Sequence, residues 1–137
     1  MFRGDIALPI DDPTLKSLVR MSTLVAFKQR SQRICGDGAK DCLEATSLMW
    51  EQIQRAAEDA YDRSADCRFT SFVGYEYTLE DEGSNLHRNV IFANGTVPPS
   101  PLSAAEATKP ELLWSWLKRN CKDLGVGCDA ITIPHNS

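Results

Sequence analysis

The stretch FVGYEYTLEDEGSNLHRNVIFAN, residues 72–94, carries the pattern that decides the fold. It contains most of a predicted strand at residues 69–78, then a polar turn, then a second predicted strand at residues 86–93. Both strands are rich in the aromatic and β-branched side chains that favour extended backbone. The centre of the chain therefore predicts a sheet, on which the other segments pack.

Side chains alternate along these strands and separate two kinds of residue. Tyr75 and Tyr77 share one face of the first strand, whereas Glu76 points to the other face. His87 and Asn89 share one face of the second strand. The two tyrosines are predicted to be core or rim residues rather than catalytic acids.

The remaining segments alternate between helix and strand. Helices are predicted at residues 12–31, 42–62 and 111–121, a proline-rich excursion at residues 94–110, and a third strand at residues 129–135. The last helix links two strands and has the length of a βαβ crossover. The pattern therefore predicts an α/β domain whose helices pack on a small, mostly parallel sheet.

Composition excludes several classes of function. With 137 residues, 42% of them hydrophobic and 25% charged, the chain is long enough for one ordinary globular domain. A net charge of −4 argues against a nucleic acid or an anionic membrane as the main partner, because both need a basic surface. No segment has the apolar length of a membrane span, and the first residues lack the layout of a signal peptide.

The five cysteines leave at least one thiol unpaired within the chain. Cys35 and Cys42 flank a loop rich in glycine and aspartate, so they are a candidate disulfide, and two reduced thiols are the equal alternative. Cys121 and Cys128 make a weaker pair, because one falls at a helix end and the other before a strand. A disulfide would fit a periplasmic or secreted parent protein, and the localisation otherwise stays open.

The candidate chemistry lies near the ends of the predicted strands, where Glu76, His87 and His135 are found. A carboxylate and neutral imidazoles are usual ligands of zinc, manganese or iron. Asn89 and Asn136 are candidates for orienting ligands or substrate. The structural alternative pairs the glutamate with an arginine, Arg88 or Arg68, and makes the histidines ordinary hydrogen-bonded residues at strand ends.

Four blocks of the sequence resemble a bacterial family known as domain of unknown function family 3604. The blocks are FTSFVGYEYT, GSNLHRNVIFAN, VPPSPLSAAEATKPELLWSWL and AITIPHNS, and the similarity covers about residues 30–137. That family is similar to the PHP superfamily, named for polymerase and histidinol phosphatase. The resemblance implies a distorted α/β barrel that holds two or three divalent metals and hydrolyses phosphoesters.

Carried over to this chain, the superfamily pattern implies three ligands. GYE supplies Glu76 as a bridging metal ligand, and NLHRN and IPHN supply His87 and His135. The superfamily's early His-x-His pair, its Asp-His pair and its late Asp-x-His are missing from a chain with only two histidines. The resemblance therefore implies one incomplete slice of a larger barrel over residues 1–137, with an N-terminal helix in 1–35 and the family-like region in 36–137.

Two functions follow as expectations. In the first, the chain is part of a metal-dependent hydrolase of the phosphoesterase type, acts on a small molecule through manganese, zinc or iron, and is inactive alone. In the second, the chain is a non-enzymatic interaction domain without a metal site, which self-associates through exposed sheet edges. The first function requires Glu76, His87 and His135 to converge, and the second allows them to scatter.

Overall fold

A computed structural model of the chain describes residues 30–81 and 84–136. The elements in chain order are helix α1 (Gln32–Cys35), helix α2 (Lys40–Ala60), strand β1 (Gly74–Asp81), strand β2 (Ser84–Phe92), helix α3 (Pro110–Asn120) and strand β3 (Ala130–Pro134). Short 3-10 turns follow α1 at Asp37–Ala39 and follow α3 at Lys122–Leu124. The helix predicted at residues 12–31 lies outside the described residues, apart from residues 30–31.

Helices α2 and α3 and strand β3 begin and end close to their predicted bounds. Pro110 occupies the first turn of α3, where its missing N–H is not needed, and Lys118 and Arg119 lie in the last turn, where positive charge is favourable. The first strand differs from its prediction, because it begins at Gly74 and continues to Asp81. Val73, just before the strand, also bonds to β2, because its carbonyl oxygen accepts a hydrogen bond from the N–H of Phe92.

The sheet has three strands in the order β1-β2-β3, and both pairs are antiparallel. The prediction of a mostly parallel sheet, and with it the slice of a parallel barrel, is therefore wrong. The helices and strands predicted within the described residues are present. The error lies in the direction in which the chain returns to the sheet.

The β1–β2 pair is antiparallel because the connection between the strands is too short for anything else. Asp81 pairs with Ser84, so only two residues separate the paired ends of the strands. So short a connection joins antiparallel strands, whereas parallel strands need a crossover of a dozen residues or more. The acidic turn of the quoted stretch thus decides this half of the sheet.

The β2–β3 pair is antiparallel because the connection crosses the core side of the sheet twice. The proline-rich segment first runs back along β1, where the N–H of Leu102 lies 3.3 Å from the hydroxyl of Tyr75, and Tyr77 donates to the carbonyl of Ala107 at 2.6 Å. Helix α3 then returns the chain, and Ala130 pairs with Phe92. A crossover with only the helix would have given a parallel strand.

The core lies between one face of the sheet and helices α2 and α3. Trp50 of α2 packs edge-on against Tyr75 and Phe92, and its indole N–H donates to the carbonyl of Pro98 at 2.8 Å. Burial raises the pKa of Tyr75 to about 12, so its phenol stays neutral. The buried residues of this core are Trp50, Ala57, Val73, Tyr77, Leu79, Val90, Phe92, Ala107, Leu113, Leu117, Cys121 and Cys128.

Candidate functional site

The second face of the sheet is not covered by the helices. Residues that pair directly across antiparallel strands share a face, and Glu76 pairs with Asn89, which pairs with Ile133. On this open face Ile131 is 59% exposed and Ile133 is 43% exposed, whereas Tyr77 on the other face is fully buried. Because side chains alternate along the strands, the polar residues Glu76, His87 and Asn89 lie on the face that α2 and α3 do not cover.

Glu76 and His87 form the centre of a polar cluster on the open face. The carboxylate of Glu76 and Nδ1 of His87 are hydrogen-bonded, and the hydroxyl of Thr78 donates to the same carboxylate oxygen at 3.0 Å. An ionised carboxylate can only accept, so Nδ1 of His87 carries the proton. Thr78 pairs with His87 across the two strands, which is why the three side chains meet.

His135 joins this cluster from the residue after β3. Its backbone N–H donates to the carbonyl of His87 at 3.2 Å, which extends the β2–β3 pairing by one step. Its ring lies beside that of His87, with centroids 5.3 Å apart and planes tilted by 30°. Nε2 of His135 lies 3.1 Å from the amide oxygen of Asn89, so Nε2 is the donor.

The hydrogen bonds of Glu76 change its acidity. The bond from His87 and, next, the bond from Thr78 stabilise the charged carboxylate, so the pKa of Glu76 is below its ordinary value. The side chain of Glu76 is 47% exposed and that of His87 is 22% exposed. The cluster is therefore open to solvent on the carboxylate side and more sheltered at the imidazole.

Asn136 does not belong to this cluster. Its amide oxygen accepts a hydrogen bond from Arg88, whose guanidinium also donates to the carbonyl of His87 at 2.7 Å. Arg88 pairs with Tyr77, a residue of the buried face, so Arg88 projects away from the cluster. Of the two asparagines predicted to orient ligands, the structure brings Asn89 to His135 and leaves Asn136 with Arg88.

The arginine partners named as the structural alternative for Glu76 are engaged elsewhere. Arg88 binds Asn136, and Arg68 forms an ion pair with Asp66 at 3.0 Å. Thr78 is the member of the cluster that sequence analysis missed. Its position two residues after Glu76 on an alternating strand is the signal that finds it.

The arrangement leaves one nitrogen on each imidazole without a hydrogen bond in the cluster. These atoms are Nε2 of His87 and Nδ1 of His135. In the neutral form of each ring, a proton on the nitrogen that faces Glu76 or Asn89 leaves a lone pair on the other nitrogen, and such a nitrogen is a usual metal ligand. However, residues 30–81 and 84–136 contain no group of three or more His, Cys, Asp or Glu side chains that could hold a metal ion.

Residues 6–137 match a family model described as "Protein of unknown function (DUF3604)". The chain belongs to this family. No curated protein and no solved structure matches the chain. The family description names no activity, so the function of this DUF3604 member has to be argued from its own residues.

Two disulfides link the elements of this DUF3604 domain. One joins Cys35 to Cys42 at the start of α2, and the other joins Cys121 to Cys128 between α3 and β3. The Cys121–Cys128 pair was the weaker prediction from the sequence, and this disulfide links the end of α3 to the segment that leads into β3. Cys67 is exposed and unpaired.

None of the helices in the described part of the chain has the length and apolarity that crossing a bilayer requires.

Proposed function

We propose that this chain contributes His87 and His135 to the metal site of a metal-dependent hydrolase of the phosphoesterase type. The observation that carries the proposal is the convergence of Glu76, His87, Asn89 and His135 on the open face of the sheet. Glu76 lies on β1, His87 and Asn89 lie on β2, and His135 follows β3, 46 residues after Asn89, so their meeting is a property of the fold.

The hydrogen bonding of each imidazole supports a role in metal binding. A histidine that binds a metal through one nitrogen usually donates its other N–H to a carboxylate or carbonyl oxygen, which fixes the ring and its tautomer. His87 has such a partner in Glu76, and His135 has one in Asn89. In this proposal His87 would bind through Nε2 and His135 through Nδ1.

The other residues of the cluster hold the two rings in place. Glu76 keeps the proton on Nδ1 of His87, and Thr78 keeps the carboxylate oriented. Bound zinc, manganese or iron would lower the pKa of a coordinated water and polarise a phosphoryl oxygen. Two histidines do not complete a four-coordinate site, so further ligands would come from Glu76, from water or from outside the described residues.

The choice of a phosphoester rests on the sequence resemblance to the polymerase and histidinol phosphatase superfamily. The antiparallel sheet differs from the parallel strands of that superfamily. The proposal therefore depends on the side-chain cluster and makes no use of a barrel. Because the ligand set is incomplete, we expect this chain alone to be inactive towards p-nitrophenyl phosphate.

The proposal is tested by adding zinc to chelator-treated, disulfide-intact protein labelled with ¹⁵N-histidine. We expect the NMR signals of Nε2 of His87 and Nδ1 of His135 to shift together, because both nitrogens bind one ion. The His87→Ala variant should remove the shift at His135, and His135→Ala should remove the shift at His87. A shift at neither histidine, or at one independently of the other, would contradict the proposal.

The same titration separates two roles for Glu76. If Glu76 orients His87, the Nδ1–H signal of His87 persists in the zinc complex, and Glu76→Gln weakens zinc binding about 10- to 100-fold. If Glu76 becomes a direct ligand, as the sequence resemblance implies, Nδ1–H of His87 loses its carboxylate partner, and its signal moves upfield or exchanges with water when zinc binds. Glu80→Gln is the matched control, because Glu80 lies on the same strand and the same face.

A second candidate function is a non-enzymatic interaction domain. The open sheet face favours it, because Ile131 and Ile133 expose apolar surface beside the polar cluster. Under this function zinc leaves the histidines unchanged, and the chain associates with a partner or with itself as concentration rises. Sedimentation of the wild type and of an Ile131→Ser, Ile133→Ser double variant, without metal, distinguishes this outcome.

A further inference from the structure

Strand β3 is an edge strand whose outer side faces no other strand of the described residues. The N–H of Ala93 donates to the carbonyl of Asp129 at 2.9 Å, and the N–H of His135 donates to the carbonyl of His87 at 3.2 Å. In an antiparallel pair the backbone groups of alternate residues point to the partner strand. The backbone N–H and C=O groups of odd-numbered residues of β3 therefore point to β2, and those of Ala130 and Thr132 point away from the sheet.

The outward backbone groups of β3 are few and specific. The N–H of Ala130 donates to the side chain of Asp129 at 2.9 Å, so it is already satisfied. Pro134 is also an outward position and has no N–H, which is the usual place for proline on an edge strand. Within the described residues, Thr132 therefore offers the one outward N–H of this strand without a hydrogen-bond partner, together with its own carbonyl.

A groove runs between this edge and helix α3. Its volume is about 390 Å³, and it is lined by Trp114, Leu117, Lys118, Lys122, Asp123, Ala130 and Thr132. Trp114 is 47% exposed although it is one of the largest apolar side chains of the domain. The side chain of Thr132 points into this groove, because Thr132 pairs with Val90 of the buried face.

Two of the three charged side chains that line the groove are cationic. Lys118 and Lys122 carry two ammonium groups, against one carboxylate, Asp123. Lys118 pairs with Asp123 at 2.7 Å, and Lys122 pairs with Asp129, outside the lining, at 3.1 Å. Both pairs are more than half exposed on their lysine side, and exposed ion pairs are weak enough for a competing carboxylate to replace one. The groove therefore complements an apolar group flanked by negative charge.

We propose that the groove binds an extended acidic polypeptide segment that adds to β3 as an antiparallel fourth strand. One residue of the segment exchanges two backbone hydrogen bonds with Thr132 and places an apolar side chain against Trp114 and Leu117. Residues two positions before and after it share that face, and their carboxylates reach Lys118 and Lys122. Main-chain bonds supply affinity and the pocket supplies specificity, as in other strand-addition complexes.

This inference is independent of the proposed metal site. The groove uses the helix side and the outer edge of β3, whereas Glu76, His87, Asn89 and His135 lie on the open face. None of the groove residues takes part in that cluster. Failure of either proposal leaves the other intact. The metal site is tested by NMR shifts of histidine nitrogens on adding zinc, and the groove is tested by NMR shifts of backbone amides without metal.

The test uses a designed heptapeptide and the disulfide-intact, ¹⁵N-labelled chain. The peptide is acetylated and amidated and has the sequence threonine, glutamate, threonine, leucine, threonine, glutamate, threonine. Its leucine and two glutamates share one face of an extended strand. We expect saturable NMR shifts of the Thr132 amide and the Trp114 indole, and none at the histidines. Absence of these shifts at millimolar peptide would overturn the proposal.

Two further comparisons isolate the backbone and the pocket. A peptide N-methylated at its leucine lacks the N–H that bonds to Thr132, so its binding should be lost. Trp114→Ala should weaken binding at least about tenfold, as expected for a buried aromatic anchor. Leu112→Ala is the matched control, because Leu112 is also on α3, is also 47% exposed and does not line the groove.

Each remaining outcome has one meaning. Equal binding of the N-methylated peptide, or equal losses in Trp114→Ala and Leu112→Ala, would show that no strand is added in the groove, and would overturn the proposal. Concentration-dependent self-association of the chain that the peptide blocks would assign the groove to a second copy of the chain. That result would also overturn the assignment to a separate acidic segment.

Discussion

The two faces of the sheet are made by alternate residues of the same strands, yet they have opposite properties. On the core face Tyr77, Val90 and Phe92 are completely buried against helices. On the open face Glu76 and His87 form a partly exposed hydrogen-bonded pair. A shift of one residue in strand register would exchange the two sets. The burial of the core face is thus what holds the polar residues together on the other side.

The residues that stabilise the fold are therefore different from the residues of the proposed metal site. Every side chain of the proposed metal site can be changed without opening the core, because the two sets point in opposite directions. Conversely, a change in the core face alters the strand spacing on which the cluster depends. Four measurements break or sharpen this contrast, and they follow from the largest expected effect to the smallest.

The largest contrast is between an apolar deletion on each face. Phe92→Ala should lower the free energy of unfolding by about 3–5 kcal/mol, because it leaves a cavity beside Trp50. Ile133→Ala on the open face should cost less than about 1 kcal/mol, because its side chain is already 43% exposed. Urea unfolding followed by circular dichroism measures both. Similar losses would mean that the open face is covered in solution.

The two disulfides give the next contrast, since each closes a loop with a sequence separation of seven. Replacing either pair by alanine should cost about 2–3 kcal/mol through loop closure alone. Only the Cys121–Cys128 variant should also shift the NMR signals of His135 and Asn89, because that bond fixes the start of β3. An unchanged cluster in this variant would show that the strand pairing alone positions His135.

Hydroxyl groups on the two faces give a smaller contrast. Tyr77→Phe removes the bond to the carbonyl of Ala107 in the core and should cost about 1–2 kcal/mol, since that carbonyl loses its buried partner. Thr78→Val removes the bond to Glu76, where water can replace it, and should change stability by no more than about 0.5 kcal/mol. Thermal unfolding of the two variants measures the difference, and equal changes would contradict it.

The smallest effect is the pH dependence of the open-face pair. Because the folded pKa of Glu76 is lowered, its contribution to stability is complete above the ordinary carboxyl pKa and is lost as the pH falls through the lowered value. A ¹³C NMR titration of the carboxylate should show the lowered pKa in the wild type. His87→Ala should raise the pKa of Glu76 towards its ordinary value, and no change would mean that His87 is not the cause.

Much of the secondary structure was predictable from local patterns. The apolar stripe of α2, Pro110 at the start of α3 and the alternation of β1 and β2 are each encoded within about ten residues. The strand direction of β3 was not predictable in this way. It depends on whether the chain between β2 and β3 crosses the sheet once or twice, and the second pass is made by a proline-rich segment without regular structure.

The sequence allowed the residues of the candidate site to be selected, but it did not predict the hydrogen bonds between them. Glu76, His87 and His135 were selected as metal-ligand types near the ends of predicted strands. The orientation of His87 by Glu76, the bond between His135 and Asn89, and the separation of Asn136 depend on register between three strands. Strand register is the alignment of one strand against another, so it cannot be read from the sequence of either strand alone.

The sequence by itself determined which residues of each strand lie on the same side, because side-chain alternation is a property of extended backbone. It also requires the first two strands to be antiparallel if they pair, since the polar stretch between them is too short for the crossover that parallel strands need. Tertiary structure alone decided the direction of β3, the meeting of His87 with His135, and the groove beside Thr132. Each of these depends on packing between segments that are far apart in the chain, where hydrophobic burial selects among arrangements that local preferences leave equal.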